Sequence, residues 1–386
     1  MGAPTPMQPM RPKRVGRGID PGRVQAAALT IIAFAVVLFL LVQARFLLIS
    51  LAVAIVIFSL TSDAINSIAR VRIGPLRVPN WLASIVALLA IATALMSLTS
   101  IILAQVNTVL STTLSYAERA PTALAELFSF LGPEAEKTIL NFTKSIEVTG
   151  YLRTAAGQAG SLVQASVLVT LFVGFLFAER VWFETKLRNL FANPAQAERF
   201  GQVVGTIIHR VNYYLLVKSF VSAVTGVLVW LVAEYFDLDL ATALGILTFV
   251  LNYIPSVGSI IATVLVALVS YIQQPDPVQT AAIFAIVGMT QFVLGNVIDP
   301  MLMGRALRLS SFGIIISLAF WAAVWGIPGM FLSVPIMVSL MIVCSQLPEL
   351  RPIAILLSRE GLPDPEAQAL GDKAEEEAEA ARHAGE

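Results

Sequence analysis

The chain has 386 residues, of which 57% are hydrophobic and 13% charged, against about 25% charged in an average soluble domain. With a mean hydropathy of +0.81, this excludes a soluble enzyme with a charged surface and a disordered chain, and it points to lipid as the surrounding solvent. Lys+Arg and Asp+Glu both number 25, yet residues 349–386 hold 4 basic and 10 acidic side chains, so a basic body carries an acidic tail. Cys344 is the one cysteine, and His209 and His383 lie far apart without ligand-like neighbours. Neither an intrachain disulfide nor a metal site is expected, and no cofactor is expected.

Residues 1–23 read as a basic, flexible N-terminal tail. Residues 24–42 carry no charge, and about 20 apolar residues suffice to cross the hydrocarbon as a helix. A second apolar run, 46–62, follows at once, so the pair reads as a helical hairpin turning near Arg45 rather than as a cleaved leader. Further spans are expected at 82–105, 161–178, 217–236 and 278–298, with longer apolar stretches at 241–272 and 311–346. Only helices satisfy their own backbone in lipid without closing a barrel, so the fold class is all-α, a polytopic helical membrane protein. Lys and Arg are dense in the N-terminal tail, in the 63–81 loop and in the 179–216 loop, and sparse for its length in 106–160. The positive-inside rule then places both termini in the cytoplasm and 106–160 outside. That outer segment reads as short amphipathic helices separated at Pro121 and Pro133.

Both long stretches are interrupted. NYIPSVG (252–258) breaks the first and WGIPGM (325–330) the second. Proline removes an amide donor and glycine tolerates the turn that follows. Each half is then short for a full crossing, and each stretch reads as a re-entrant broken hairpin preceded by one ordinary span. The first would enter from outside beside Asp237 and Asp239, the second from inside beside Arg305 and Arg308. Paired broken segments in corresponding positions of an inverted repeat point to a transporter's binding site. Plain crossings with proline kinks are the alternative.

Few polar residues interrupt the spans: Asn252, Ser256, Ser259, Gln291 and Asn296, with Asp299 just beyond. Buried amides need partners, so these are candidates for function, with helix–helix bonding as the plain alternative. Asp299 could carry a proton or a cation, or cap the next helix, or meet Arg305. RVNYYLLVK (210–218) reads as an interfacial anchor and not as a nucleic-acid site. No phosphate-binding loop, H-E-x-x-H or nucleophile elbow is present, so the chain does not read as an enzyme.

NYIPSVGSIIA (252–262), GNVIDPMLMGRALRLS (295–310) and FWAAVWGIPGMFLSVP (320–335) resemble the signatures of the autoinducer-2 exporter family, also called PerM-like permeases, over roughly residues 20–355. The resemblance implies a bacterial inner-membrane protein exporting a small polar solute such as autoinducer-2. It further implies a homo-oligomer, such as a pentamer, and elevator-like movement of the broken-hairpin part against a fixed N-terminal part. Asp299 stands where relatives often carry glutamate, which keeps the charge and shortens its reach.

The combined expectation has residues 24–215 as a scaffold, 216–347 as the transport half and 348–386 as an acidic cytoplasmic tail. A small-molecule solute would sit between the two breaks, held by Asn252, Ser256, Ser259 and the backbone around Pro255, Gly258, Pro328 and Gly329. Gln291, Asn296 and Asp299 complete the substrate-binding set. A sodium/proton antiporter and a non-transporting oligomeric scaffold or pore are the competing functions.

Overall fold

A computed structural model describes residues 21–70, 80–127, 148–191, 193–303 and 309–359, with isolated positions 132, 134, 137, 138 and 361. Among the described residues the structure is helical, and Leu309 and Ser358 form an isolated bridge. The helices are α1 (Pro21–Gln43), α2 (Arg45–Arg70), α3 (Asn80–Leu127), α4 (Val148–Leu190), α5 (Pro194–Tyr235), α6 (Ala241–Leu251), α7 (Val257–Gln273), α8 (Pro277–Val293), α9 (Asp299–Met303), α10 (Ser311–Trp325), α11 (Ile327–Ser345) and α12 (Arg351–Leu357). Three starts follow ordinary capping chemistry. Asn193 accepts from Ala195 N at 3.0 Å ahead of Pro194. Asp276 accepts from Val278 N and Gln279 N ahead of Pro277. Ser310 accepts from Gly313 N.

Six helices contain apolar windows long enough to cross a membrane, while Ala28–Gln43, Ala241–Leu251, Val257–Gln273 and Ser311–Trp325 are shorter apolar helices. This makes the chain a multi-pass membrane protein. Residues Met1–Arg45, which include α1, form a separate compact unit from Phe46–Glu386.

Two sequence expectations need correction. The helix of the 82–105 span does not stop at the membrane edge: α3 continues to Leu127 with Pro121 inside it, because helical bonding already established on both sides tolerates the one missing amide. The helix of the 217–236 span begins far earlier, at Pro194, so 210–218 lies in the middle of a 42-residue rod. Residues 1–20 of the N-terminal tail, the apolar positions 139, 142 and 146 expected after Pro133 and residues 362–386 of the acidic tail lie outside the described residues, as do Arg305 and Arg308.

Within the second unit, α2, α3 and α4 share a core of Ala54, Ala87, Ile91, Val169, Val173 and Phe177. Phe58 meets Phe177 edge-on at 5.0 Å. A buried hydroxyl pair, Thr99 Oγ1 and Ser166 Oγ at 2.8 Å, bonds α3 to α4.

The chain reverses at both breaks. As one rod, the 34 residues from Asp239 to Gln273 would span about 51 Å. Instead Gln273 Oε1 accepts from Asp239 N at 2.9 Å, and Gln273 Nε2 donates to Asp237 O at 2.8 Å. Tyr116 of α3 donates to Asp239 Oδ2 at 3.0 Å and lies 3.2 Å from Gln273 Oε1. Burial, and after it the Asp239 carboxylate, raise that phenol above its ordinary value. In the second pair, Ser317 Oγ of α10 donates to Ser333 O of α11 at 2.8 Å, which closes a tight antiparallel pair about Gly326, a residue with φ +67.

The two hairpins pack at different levels of α5, the first near its C-terminal end and the second around its middle. The base of the first, at Leu240, Ala241, Tyr271 and Ile272, shares a core with Val229 and Ala233. The base of the second, at Met341, Ile342 and Cys344, shares one with Val211 and Leu215. Ala233 and Val211 are about 33 Å apart along the helix.

Gly258 and Gly329 occupy matching places just after the breaks. A Cβ at Gly258 would overlap the Leu251 carbonyl, and one at Gly329 the Trp321 carbonyl. Backbone cannot yield as a side chain can, so Gly258→Ala and Gly329→Ala are each expected to lower stability by about 1–3 kcal/mol. Thermal unfolding of the purified variants in detergent measures this, and an unchanged midpoint would show that the tight approach is not needed.

Candidate functional site

A cavity of ≈ 530 Å³ lies where the first tip meets α5, α7 and α8, with Val334 of the second hairpin also in its wall. At the first tip, Asn252 Nδ2 donates to Ser222 Oγ at 3.0 Å and the Tyr253 hydroxyl donates to Ser219 Oγ at 2.7 Å. Tyr253 also stacks on Phe331, just beyond the second break, with ring centroids 4.4 Å apart. Thus α5 and the two tips are joined through one aromatic side chain.

The turn at the first tip is strained. Ser256 has φ +60 and ψ −47, a region that L residues rarely enter, and Val257 N donates to Pro255 O at 2.6 Å across it. This is the rare positive-φ form of the γ-turn. Strained non-glycine backbone concentrates at ligand sites, and Ser256 is exposed in the cavity wall.

On the opposite wall, α8 does not run straight on into α9. Leu294–Ile298 form a π-helical turn, in which Asp299 N donates to Leu294 O. The extra residue rotates the following side chains relative to those before it, so Gln291, Asn296 and Asp299 all reach the same cavity. Asn296 Nδ2 donates to Phe292 O at 3.1 Å. Such turns recur at functional sites in helical proteins.

Asp299 does not rest at an exposed span end. Lys218 Nζ lies 2.7 Å from its Oδ2, and the two side chains are only 7% and 13% exposed. Reading 210–218 as an interfacial anchor is therefore overturned for Lys218 and Tyr214, which are buried and line the cavity. A charge does lie within a span, and the Asp299 partner is Lys218 where Arg305 was considered. Desolvating two charges is costly unless both are paired, and ionisable groups at membrane depth are as a rule functional. Two buried polar atoms on the wall, Asp299 Oδ1 and Gln291 Nε2, have no hydrogen-bond partner among the described residues.

Of the candidates chosen from sequence, Asn252, Pro255, Ser256, Ser259, Gln291, Asn296 and Asp299 line the cavity. Gly258 is buried against Leu251, and Pro328 and Gly329 belong to the second turn and are not in the lining. Lys218, Tyr214 and Thr263 were missed. A signal for Lys218 exists: Tyr214, Lys218, Ser222 and Thr225 recur at spacings of four, four and three along a largely apolar stretch of the helix, and all four are buried. A polar stripe at helical period faces protein rather than lipid.

Ser256→Gly is expected to relieve the positive φ and raise stability by about 1 kcal/mol, the left-handed penalty less the added chain entropy. Thermal unfolding checks this, and a lower midpoint would mean that the hydroxyl matters more to the fold than the strain.

Comparison with known proteins now gives this geometry a context. Residues 29–349 match the family described as AI-2E family transporter. The AI-2 transport protein TqsA of Escherichia coli K12 is 30% identical over 201 residues, 52% of this chain and 57% of that protein. A provisionally named transport protein of Borreliella burgdorferi is 31% identical over 208 residues, 54% of this chain and 57% of its own length. A third, from Haemophilus influenzae, is 29% identical over 296 residues, 73% of this chain and 82% of that protein. The chain thus spans little more than half the length of the first two. With a single family match running through both hairpins and the cavity between them, the chain belongs to the AI-2E transporter family.

Proposed function

We propose that the protein is a secondary transporter that moves a small, polar, uncharged solute by alternating access at the cavity beside Lys218 and Asp299. One observation carries the reading. Two hairpins have their bases at separate levels of α5, and beside their tips lies a cavity with unpartnered polar atoms, Gln291 Nε2 and Asp299 Oδ1. Broken helices at a membrane midplane offer both free backbone and polar side chains to a ligand. The hydroxyls of Ser256 and Ser259 and the amides of Asn252, Gln291 and Asn296 serve as hydrogen-bond partners. Such a set suits a hydroxyl-rich molecule, and autoinducer-2, for which TqsA is named, is the first candidate.

In this reading the hairpins are re-entrant, residues 216–347 are the mobile part and 24–215 the scaffold. The protein sits in the bacterial inner membrane as a homo-oligomer with both termini cytoplasmic and the far end of α3 outside. The sodium/proton antiport alternative requires a carboxylate free to exchange ions, whereas Asp299 is engaged by Lys218. A scaffold has no use for a polar cavity of this size.

The test is efflux of labelled autoinducer-2 and of neutral sugars of similar size from proteoliposomes. Gln291→Leu keeps the volume and removes the unpartnered amide. Losing one hydrogen bond of about 1–1.5 kcal/mol is expected to cut the rate about tenfold while leaving the unfolding midpoint intact. Efflux by Gln291→Leu at the rate of the unaltered protein would displace the solute from this cavity.

A further inference from the structure

Lys218 and Asp299 are the charged side chains in the cavity wall, and they cancel. We propose that Lys218 acts as a resident cation, a positioning residue whose ammonium fills the place beside Asp299 that a monovalent metal ion would otherwise take, so that the cavity admits neutral solutes and refuses ions. This rests on the cavity being the solute site and adds to it the basis of selectivity.

The surroundings of Asp299 explain why such a plug is needed. The cavity that Asp299 lines is rich in oxygen: the Ser256 and Ser259 hydroxyls, the Asn252 amide and the Thr263 hydroxyl on its other walls, and the unpartnered Asp299 Oδ1 itself. Hard monovalent and divalent cations choose oxygen ligands of this kind. An isolated carboxylate here would have to bind a proton or an ion, because an uncompensated charge is not tolerated in an apolar body. Lys218 removes that need permanently, being tied to the same polypeptide. The ammonium spends one contact on Oδ2 at 2.7 Å, and its stem is held on α5 one turn after Tyr214, so it cannot leave with the cargo.

The pair also has no evident reason to exist as packing. Replacing a buried ion pair by apolar residues of similar volume is often neutral or stabilising. Nor does it crosslink elements that would otherwise part, since Tyr213 already donates to Leu302 O at 2.7 Å between α5 and α9. What the pair does uniquely is set the charge of the cavity to zero while leaving hydrogen-bonding capacity on both members. A neutral hydroxyl-rich solute can use that capacity, whereas an anion or a cation meets a site with no net countercharge.

The experiment is thermal unfolding of the full-length purified protein at about pH 9.5, above the roughly 8–9 documented for buried carboxylates, in sodium chloride against choline chloride at equal ionic strength. The unaltered protein and Lys218→Arg are expected to give the same midpoint in both salts. Lys218→Gln exposes a lone carboxylate, and its midpoint is expected to be at least about 2 °C higher in sodium. The double variant Lys218→Gln/Asp299→Asn is expected to lose that response. A sodium response in the unaltered protein, or none in Lys218→Gln, overturns the proposal. Should Lys218→Gln not yield folded protein, Asp299→Asn carries the test at about pH 4.5, below the range documented for buried lysines, with the sign reversed: its lone ammonium is expected to favour chloride over gluconate, and equal midpoints overturn the proposal. These readouts involve no solute. Ion responses as expected, with efflux by Gln291→Leu unimpaired, would refute the cavity as the solute site and leave the charge-cancelling role standing. The reverse pattern would do the opposite.

Discussion

Backbone groups released at a helix break have no water to bond in an apolar body, and this constraint shapes everything around Asn252–Ser256 and Gly326. A break can persist only where protein supplies the partners that lipid cannot. Here the broken turns close on their own backbone, Asn252 N donating to Thr248 O, Gly258 N to Ile254 O and Gly326 N to Ala322 O, while α5 anchors the first tip through side chains. Ser219 and Ser222 receive Tyr253 and Asn252, and Tyr253 in turn stacks on Phe331. The same helix then continues to Lys218 and Tyr214, so the element that anchors the first tip also furnishes one wall of the cavity.

Two backbone irregularities face each other across that place, while Asp237, with φ 52, is the other positive-φ non-glycine residue among those described. Ser256 sits in a γ-turn that L residues avoid, and Leu294–Ile298 depart from α-helical bonding on the facing wall. Each distortion turns side chains toward the cavity that a regular helix would have sent to lipid or to a neighbour. Tight apolar packing at the hairpin bases holds the two irregular tips against each other. The polar cavity thus lies beside well-packed bases and tips joined by Tyr253 and Phe331.

At the far end, Tyr116, Asp239 and Gln273 tie the extension of α3 to the base of the first hairpin. Sequence gave no hint of it, because the three residues lie more than a hundred positions apart in two of their three pairings and each alone reads as an ordinary surface side chain. The continuity of α3 through Pro121 was equally hidden: proline propensity predicts a stop, and neighbouring helical turns override it.

Local chemistry determined a good deal. The uncharged runs dictated helices, since lipid leaves a backbone no other open-chain solution. The Ile-Pro-x-x-Gly and Ile-Pro-Gly motifs dictated where two of them break, because proline and glycine act on the chain within one turn of themselves. Seven of ten candidate residues reached the cavity for the same reason, each standing beside a break or among the few polar groups in an apolar span. Tertiary structure alone decided that Asp299 meets Lys218, that Tyr253 joins the two tips, and that Gly258, Pro328 and Gly329 shape the turns without lining the cavity. A charge at the edge of an apolar run looks interfacial until the helix carrying it is seen to continue for a further six turns, and contact between residues 81 positions apart follows from how rods pack, which no short stretch of sequence encodes.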